Sequence, residues 1–151
     1  MSIEPIRRSV EVRAAPARAF ALFVERIGTW WPRDYKIGQA PLASVVIEPR
    51  EGGGWFEVDD DGTRTDWGRV LEWAPPERLL LAWQIGADWR FDPELLTEVE
   101  IGFEPLAAGG TRVTLEHRKL EALGADAERV AAMLRGGWQL PLDAYAGLAN
   151  Q

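Results

Sequence analysis

The chain offers very few side chains for covalent or metal chemistry. Among its 151 residues it has one histidine, His117, and no cysteine. Disulfides, thiolate nucleophiles and cysteine-ligated zinc are therefore excluded, and a serine–histidine–acid arrangement or a histidine cluster around a metal would depend on His117 alone. We expect no metal, no cofactor and no covalent catalysis. Any enzyme activity would rest on acid–base help from His117 or a carboxylate.

His117 has two interpretations, which the sequence leaves open. In the segment 111–118 it alternates with Val113 and Leu115, so it shares their apolar face in an extended strand. It is either a core histidine tied to one neighbouring group or the polar end of a cavity, where an ordinary pKa of about 6.5 would let it exchange protons. Because no nucleophile accompanies it, binding is the better functional interpretation.

Tryptophan is the residue type that most distinguishes this composition, since the chain contains eight. Each indole can bury about 150–250 Å² and needs a partner for its N–H group, so many of the eight could simply fill the core or its rim. Aromatic walls with a few polar groups are also typical of small-molecule cavities. We predict such a cavity, with its entrance near Trp31 or Trp89. The candidate binding residues are Trp31, Trp67, Trp83, Trp89, His117, Met133 and Trp138.

Other conspicuous stretches have simpler explanations. The acidic stretch 57–61 lacks the spacing of a calcium-binding loop, and its end is typical of a turn. The glycines at 52–54 are not followed by the Lys-Ser/Thr of a phosphate-binding loop, so they indicate a hairpin. Arg69 shares strand parity with Trp67, which would turn its cation toward the same face unless a β-bulge intervenes; otherwise it is a solvated surface residue.

Regularly spaced apolar residues predict the elements that would position these side chains. Ala15 and Pro16 begin a helix, because proline suits a first helical turn, and Gly28 ends it. Alternating segments separated by Gly, Asp and Pro turns predict strands, which would form one curved antiparallel sheet of six or seven strands. The predicted strands cover 3–13, 42–49, 55–58, 64–73, 78–85, 97–103 and 111–118.

A long amphipathic C-terminal helix is predicted from about residue 125 to residue 148. Its apolar residues advance by steps of three or four, close to the helical period, so they form one stripe that faces the sheet. The stripe consists of Val130, Leu134, Trp138, Pro141, Tyr145 and Leu148. Pro141 cannot donate a hydrogen bond to Gly137, so we predict a kink there. The order of elements indicates an α+β fold in a single domain, residues 1–151.

The charge balance argues against nucleic-acid and membrane partners. Acidic residues outnumber basic ones by 24 to 17, for a formal net charge of −7. Nucleic-acid surfaces and anionic membranes both select for clustered basic residues, which this sequence lacks. The N-terminal segment 1–12 has no apolar core of a secretory signal, and no run approaches the roughly 20 apolar residues that span a bilayer. We expect a cytoplasmic protein that does not insert into membranes.

Several stretches of the sequence resemble the START-like (SRPBCC) superfamily. They are Asp66-Trp67-Gly68-Arg69-Val70-Leu71, followed by Pro75-Pro76-Glu77-Arg78-Leu79 and Ala82-Trp83, then Thr97 to Ile101, Gly110 to His117, and Gly137-Trp138. Within the superfamily the chain is similar to bacterial proteins named after the activator of the heat-shock-protein-90 ATPase. The resemblance covers nearly the whole chain and implies a helix-grip fold, with the sheet wrapped around the C-terminal helix. That fold is shared by lipid carriers, polyketide cyclases, plant hormone receptors and co-chaperone domains, so it does not choose a function.

Three functions remain open. Binding of a small apolar or amphipathic molecule, in a cavity between the sheet and the C-terminal helix, is favoured over catalysis and makes a small hydrophobic ligand the expected partner. A chaperone-interacting, co-chaperone-like module would instead need an exposed apolar groove. A cofactor-free enzyme of the cyclase or hydrolase type would need two polar groups that converge on one point of the cavity.

Overall fold

Seven strands form one antiparallel sheet in the computed structural model, which describes residues 3–151. The strands are β1 (Ile6–Val12), β2 (Leu42–Ile47), β3 (Gly54–Asp59), β4 (Arg64–Ala74), β5 (Arg78–Trp83), β6 (Thr97–Pro105) and β7 (Thr111–Arg118). Their order in the sheet is β1-β7-β6-β5-β4-β3-β2, so β1 closes onto the last strand while the others follow as successive hairpins. The predicted α+β fold with an antiparallel sheet is confirmed.

Helices fill the concave side of the curled sheet. Near the N-terminus lie α1 (Pro16–Glu25) and the short α2 (Ile27–Trp30). The C-terminal part consists of a 3₁₀ segment (Leu120–Asp126), α3 (Ala127–Gly137) and α4 (Gln139–Ala149). In the part of the chain that the structure describes, no helix has both the length and the apolar character needed to cross a membrane.

The long C-terminal helix is bent at Trp138, which separates α3 from α4. The N–H of Trp138 still donates to the carbonyl of Leu134 at 3.1 Å, whereas the N–H of Leu142 reaches the carbonyl of Trp138 only at 3.4 Å. Pro141 has no N–H, so the carbonyl of Gly137 loses its helical donor. The predicted kink is confirmed, and it coincides with a side chain that packs directly against the sheet.

Tyr145 joins the end of the bent helix to α1. Its hydroxyl donates to the backbone carbonyl of Ala19 at 2.8 Å, and its ring packs edge-on against Phe23 with 5.1 Å between centroids. Burial raises the pKa of the Tyr145 hydroxyl well above its usual value, so this group stays a donor at all physiological pH values. The contact fixes the position of α4 and thereby the bend before it.

A β-bulge at Trp67 sets the orientation of the side chains along β4. The register against β3 shifts at this residue, which breaks the simple alternation of faces. Trp67 and Val70 are both buried, whereas Arg69 between them is exposed and donates to Oε1 of Gln84 at 3.1 Å. Arg69 therefore does not face the interior. The β-bulge changes the alternation of side chains after Trp67, so the surface position is the correct one of the two interpretations.

Candidate functional site

A cavity of about 290 Å³ lies between the sheet and the bent C-terminal helix. Six of the seven candidate residues line it, namely Trp31, Trp67, Trp83, Trp89, Met133 and Trp138. The loop 34–37 completes the wall together with Ile85, Leu134, Gly137 and Pro141. The seventh candidate, His117, is fully buried behind Trp138 and does not line the cavity.

Four of these tryptophans form a closed ring of contacting indoles, which we call the four-tryptophan ring. The centroid distances are 5.1 Å from Trp31 to Trp67, 6.3 Å from Trp67 to Trp83, 5.6 Å from Trp83 to Trp138 and 6.1 Å from Trp138 back to Trp31. All four pairs are tilted or edge-to-face, the geometries that indole quadrupoles favour. The aromatic wall is therefore held together by its own contacts.

A buried chain of hydrogen bonds fixes Trp138. Its indole N–H donates to Nδ1 of His117 at 3.1 Å, and Nε2 of His117 lies 2.8 Å from Oγ1 of Thr97. The Thr97 hydroxyl gives its own proton to the backbone carbonyl of Trp83, also at 2.8 Å. Thr97 can then only accept from His117, so the ring carries its proton on Nε2 and is neutral.

The same burial keeps His117 out of proton-transfer chemistry. Removal from water lowers the pKa of His117 from 6.5 to about 3, and both ring nitrogens are already hydrogen-bonded. Of the two interpretations that the sequence left open, the structure places His117 in the core, where it orients a cavity wall. Acid–base catalysis at neutral pH would need other groups.

Glu57 plays the corresponding role for Trp67, and the sequence analysis did not identify it. One oxygen of its fully buried carboxylate accepts from the Trp67 indole at 2.9 Å and from the backbone N–H of Ile37 at 2.7 Å; the other accepts from that of Gly38 at 3.1 Å. The sequence does contain one signal for its burial: residues two apart in a strand share a face, and Glu57 follows the fully buried Trp55 at this spacing in β3.

The loop 34–37 brings polar groups to an otherwise aromatic cavity. Asp34, Tyr35 and Lys36 all line it. The loop is held in place because its carbonyl at Tyr35 accepts from the Trp31 indole at 2.7 Å, while Nζ of Lys36 donates to the carbonyl of Gly38 at 2.7 Å. No hydrophobic periodicity marks this loop, so its contribution could not be predicted from the pattern.

Two exposed apolar side chains stand at the cavity rim. Trp89 is 37% exposed and Met133 is 50% exposed, and both line the cavity. Trp89 has a backbone φ of +60°, a left-handed conformation that is unfavourable for a bulky residue. It occupies a tight turn in which its N–H donates to the carbonyl of Gly86 at 2.9 Å. The turn therefore presents a large apolar residue to solvent at a cost in backbone energy.

Comparisons with known proteins extend over nearly the whole chain. The family model described as "Activator of Hsp90 ATPase homolog 1-like protein" matches residues 13–149. Among solved structures, the anthrahydroquino-γ-pyrone synthase Txn09, complexed with SUM, is 37% identical; 97% of each chain is covered, with a TM-score of 0.67. CalC, a self-sacrificing resistance protein from Micromonospora echinospora, is 29% identical over 96% of this chain and 93% of that chain, with a TM-score of 0.70.

A third structure, the Aha1 dimer from Colwellia psychrerythraea, is similar in fold alone. It is 13% identical, with 98% of this chain and 97% of that chain covered and a TM-score of 0.67. No curated protein matches the chain.

Proposed function

Because the chain belongs to the family of Activator of Hsp90 ATPase homolog 1-like proteins, we propose that it binds a small apolar or amphipathic molecule in the cavity between the sheet and the C-terminal helix. One observation carries this proposal: the four-tryptophan ring borders a cavity of about 290 Å³. That volume is close to the lower end of the range for small-molecule sites, which are typically concave and mostly apolar.

The fixed orientation of the ring supports the same proposal. The indoles of Trp67 and Trp138 are each held by a fully buried polar residue, Glu57 and His117 respectively. Burying such polar groups is costly unless they are fully hydrogen-bonded, and here they serve to orient cavity walls. Because these side chains are already ordered before binding, the binding free energy does not include the entropy cost of ordering them.

Titration with the neutral fluorescent probe N-phenyl-1-naphthylamine tests the proposal. We expect the protein to bind it, and Trp89→Ala to change probe uptake more than stability, because Trp89 lines the cavity and is 37% exposed. Trp55→Ala is the matched control: this residue is fully buried away from the cavity, so its truncation should cost about 3–5 kcal/mol in urea unfolding.

If the parent protein binds no probe, the cavity proposal fails. A groove-type interaction module would then be the better account. Native mass spectrometry of the protein purified from its natural host would identify the bound molecule directly.

A cofactor-free ring-closing reaction is the second candidate function, and the similarity to the synthase Txn09 favours it. His117 is not free to act, so proton transfer would fall to Asp34, Tyr35 or Lys36 at the cavity. A suitable test substrate is 1-(2-hydroxyphenyl)butane-1,3-dione, whose phenol oxygen attacks the distal ketone and releases water to give 2-methylchromone. Acceleration that Asp34→Asn or Lys36→Met abolishes would support catalysis; the uncatalysed rate would leave binding alone.

Interaction with a chaperone is the remaining alternative, which the family name suggests. Within residues 3–151 the large exposed apolar side chains are Trp89, Met133 and Leu140, and the first two line the cavity. This distribution supports a cavity rim more than a separate docking groove. The ATPase rate of a bacterial Hsp90, measured with and without this protein, would distinguish the two: stimulation would favour the chaperone role.

A further inference from the structure

The indole N–H groups of the four-tryptophan ring fall into two classes. Those of Trp31, Trp67 and Trp138 are all used inside the protein, donating to a backbone carbonyl, a buried carboxylate and His117 respectively. Within residues 3–151, by contrast, Trp83 accepts a hydrogen bond from Thr97 at its backbone carbonyl, but its Nε1 donates none. One donor of the ring is therefore unused.

This unused donor retains accessible surface. In the described chain the fully buried polar side-chain atoms without a partner are Nε1 of Trp55 and Oδ1 of Asp59, and Nε1 of Trp83 is not one of them. Trp83 is 7% exposed and lines the cavity, while Trp55, His117 and Trp138 pack against its ring at centroid distances of 5.5, 5.5 and 5.6 Å. Three rings therefore cover much of Trp83, and the cavity borders part of its remaining surface.

The chemistry of this group restricts what can occupy the cavity. An indole N–H donates and cannot accept, so it is satisfied only by an acceptor atom. A ligand without such an atom would bury the N–H unpaired, at a cost comparable to a lost hydrogen bond. The surrounding walls are aromatic rings in mutual contact, which favour a flat π-system by stacked or edge-on contacts.

We propose that the bound molecule is a planar aromatic compound with a carbonyl or similar acceptor oxygen, and that the indole N–H of Trp83 donates to this oxygen. The inference rests on the proposed binding function and deepens it by naming the ligand class. Trp83 then selects among apolar molecules, while the rest of the ring provides contact area.

Two nearly isosteric probes, 9-fluorenone and fluorene, test the proposal, because they differ by a carbonyl in place of a methylene. In an apolar cavity without a donor, fluorene binds at least as tightly, since the carbonyl loses its hydrogen bonds to water. With the Trp83 donor we expect fluorenone to bind about fivefold more tightly, the effect of roughly one net hydrogen bond. Quenching of intrinsic fluorescence gives both affinities.

Two variants assign the preference to one indole. Trp83→Phe keeps an aromatic ring but removes the N–H, so the fivefold preference should disappear. Trp67→Phe is the matched control: it removes a similar part of the same wall, but its N–H is used by Glu57. We expect that change to weaken both probes by a similar factor and to leave their ratio unchanged.

The outcomes separate this inference from the function on which it rests. If neither probe binds, both fail. If both probes bind but fluorene binds as tightly as fluorenone or more tightly, the assignment of Trp83 as the donor is wrong, while binding in the cavity is still supported. The same holds if the preference for fluorenone survives Trp83→Phe. Should Trp83→Phe not fold, infrared spectra of fluorenone bound to the parent protein decide: a carbonyl stretch shifted to lower frequency supports the hydrogen bond, and an unshifted band contradicts it.

Discussion

The indole N–H of Trp138 donates to Nδ1 of His117 at 3.1 Å, so the residue at the helix bend is tied to the last strand of the sheet. The second ring nitrogen of His117 continues the connection to Thr97 on β6. One neutral histidine thus links a cavity wall to two adjacent strands, and breaking either contact leaves a buried polar group without its partner.

Replacing His117 should therefore destabilise the protein strongly. We expect His117→Leu to cost about 2–4 kcal/mol, because the Trp138 N–H is left unpaired in the core. Thr97→Val removes the acceptor for Nε2 and should cost about 1–3 kcal/mol. In urea unfolding the double variant should lose less than the sum of the two, since both changes remove the same hydrogen bond. Strict additivity would show that the connection from His117 to Thr97 is absent.

Burial of His117 should make stability depend on pH in the acid range. Its pKa is about 3 in the folded protein, against 6.5 as the ordinary value. Above pH 6.5 the residue is neutral in both states and contributes nothing. Below that pH the unfolded chain binds a proton at His117 but the folded protein does not, so the free energy of unfolding falls by up to about 1.4 kcal/mol per pH unit until pH 3.

The variant His117→Leu isolates this effect, because other titrating groups act in both proteins. Unfolding free energies measured between pH 7 and pH 4 should fall more steeply for the parent than for the variant. Parallel profiles would mean that His117 is accessible to protons in the folded state.

Two substitutions of Trp89, in the strained turn, should have the same effect on probe binding but different effects on stability. Both Trp89→Ala and Trp89→Gly remove the indole from the cavity rim, so both should weaken binding of N-phenyl-1-naphthylamine. Only glycine relieves the left-handed backbone, and the glycine variant should be more stable than the alanine variant by about 1 kcal/mol. Thermal unfolding and probe titration of the pair check this. Equal binding by the parent and both variants would remove Trp89 from the site.

Close packing of β4 against β5 should make Gly68 irreplaceable. A Cβ at this position would lie 1.7 Å from the carbonyl oxygen of Ala82, so Gly68→Ala must displace one strand and should cost at least about 3 kcal/mol. Gly136, inside α3, has open space within 4 Å of the point that a Cβ would occupy, and Gly136→Ala should stabilise by up to about 1 kcal/mol. Urea midpoints that move in the same direction for both variants would contradict this interpretation of the packing.

Periodicity predicted most of the fold because most of this chain obeys it. The steps from Val130 to Leu148 located the C-terminal helix, and Pro141 located its bend. These are local properties of strands and helices, which a pattern of apolar residues specifies directly.

The features that escaped prediction depend on contacts between distant segments. Glu57 is buried because the Trp67 indole and the loop 34–37 supply its donors, which no local pattern reveals. For Arg69 the sequence left an inward and an outward orientation open, and the β-bulge, which the alternation of residues does not reveal, decides for the outward one. The unused N–H of Trp83 emerges only once the partners of the other three ring indoles are known.

The four-tryptophan ring also has a consequence for the timing of synthesis. Its members come from the segment after α2, from β4, from β5 and from the junction of α3 and α4, which is residue 138. A nascent chain that ends with β7 contains three of the four tryptophans and lacks Trp138. The cavity is therefore complete only when the C-terminal helix has left the ribosome and docked, so under the proposed function a ligand would be captured after the sheet has formed.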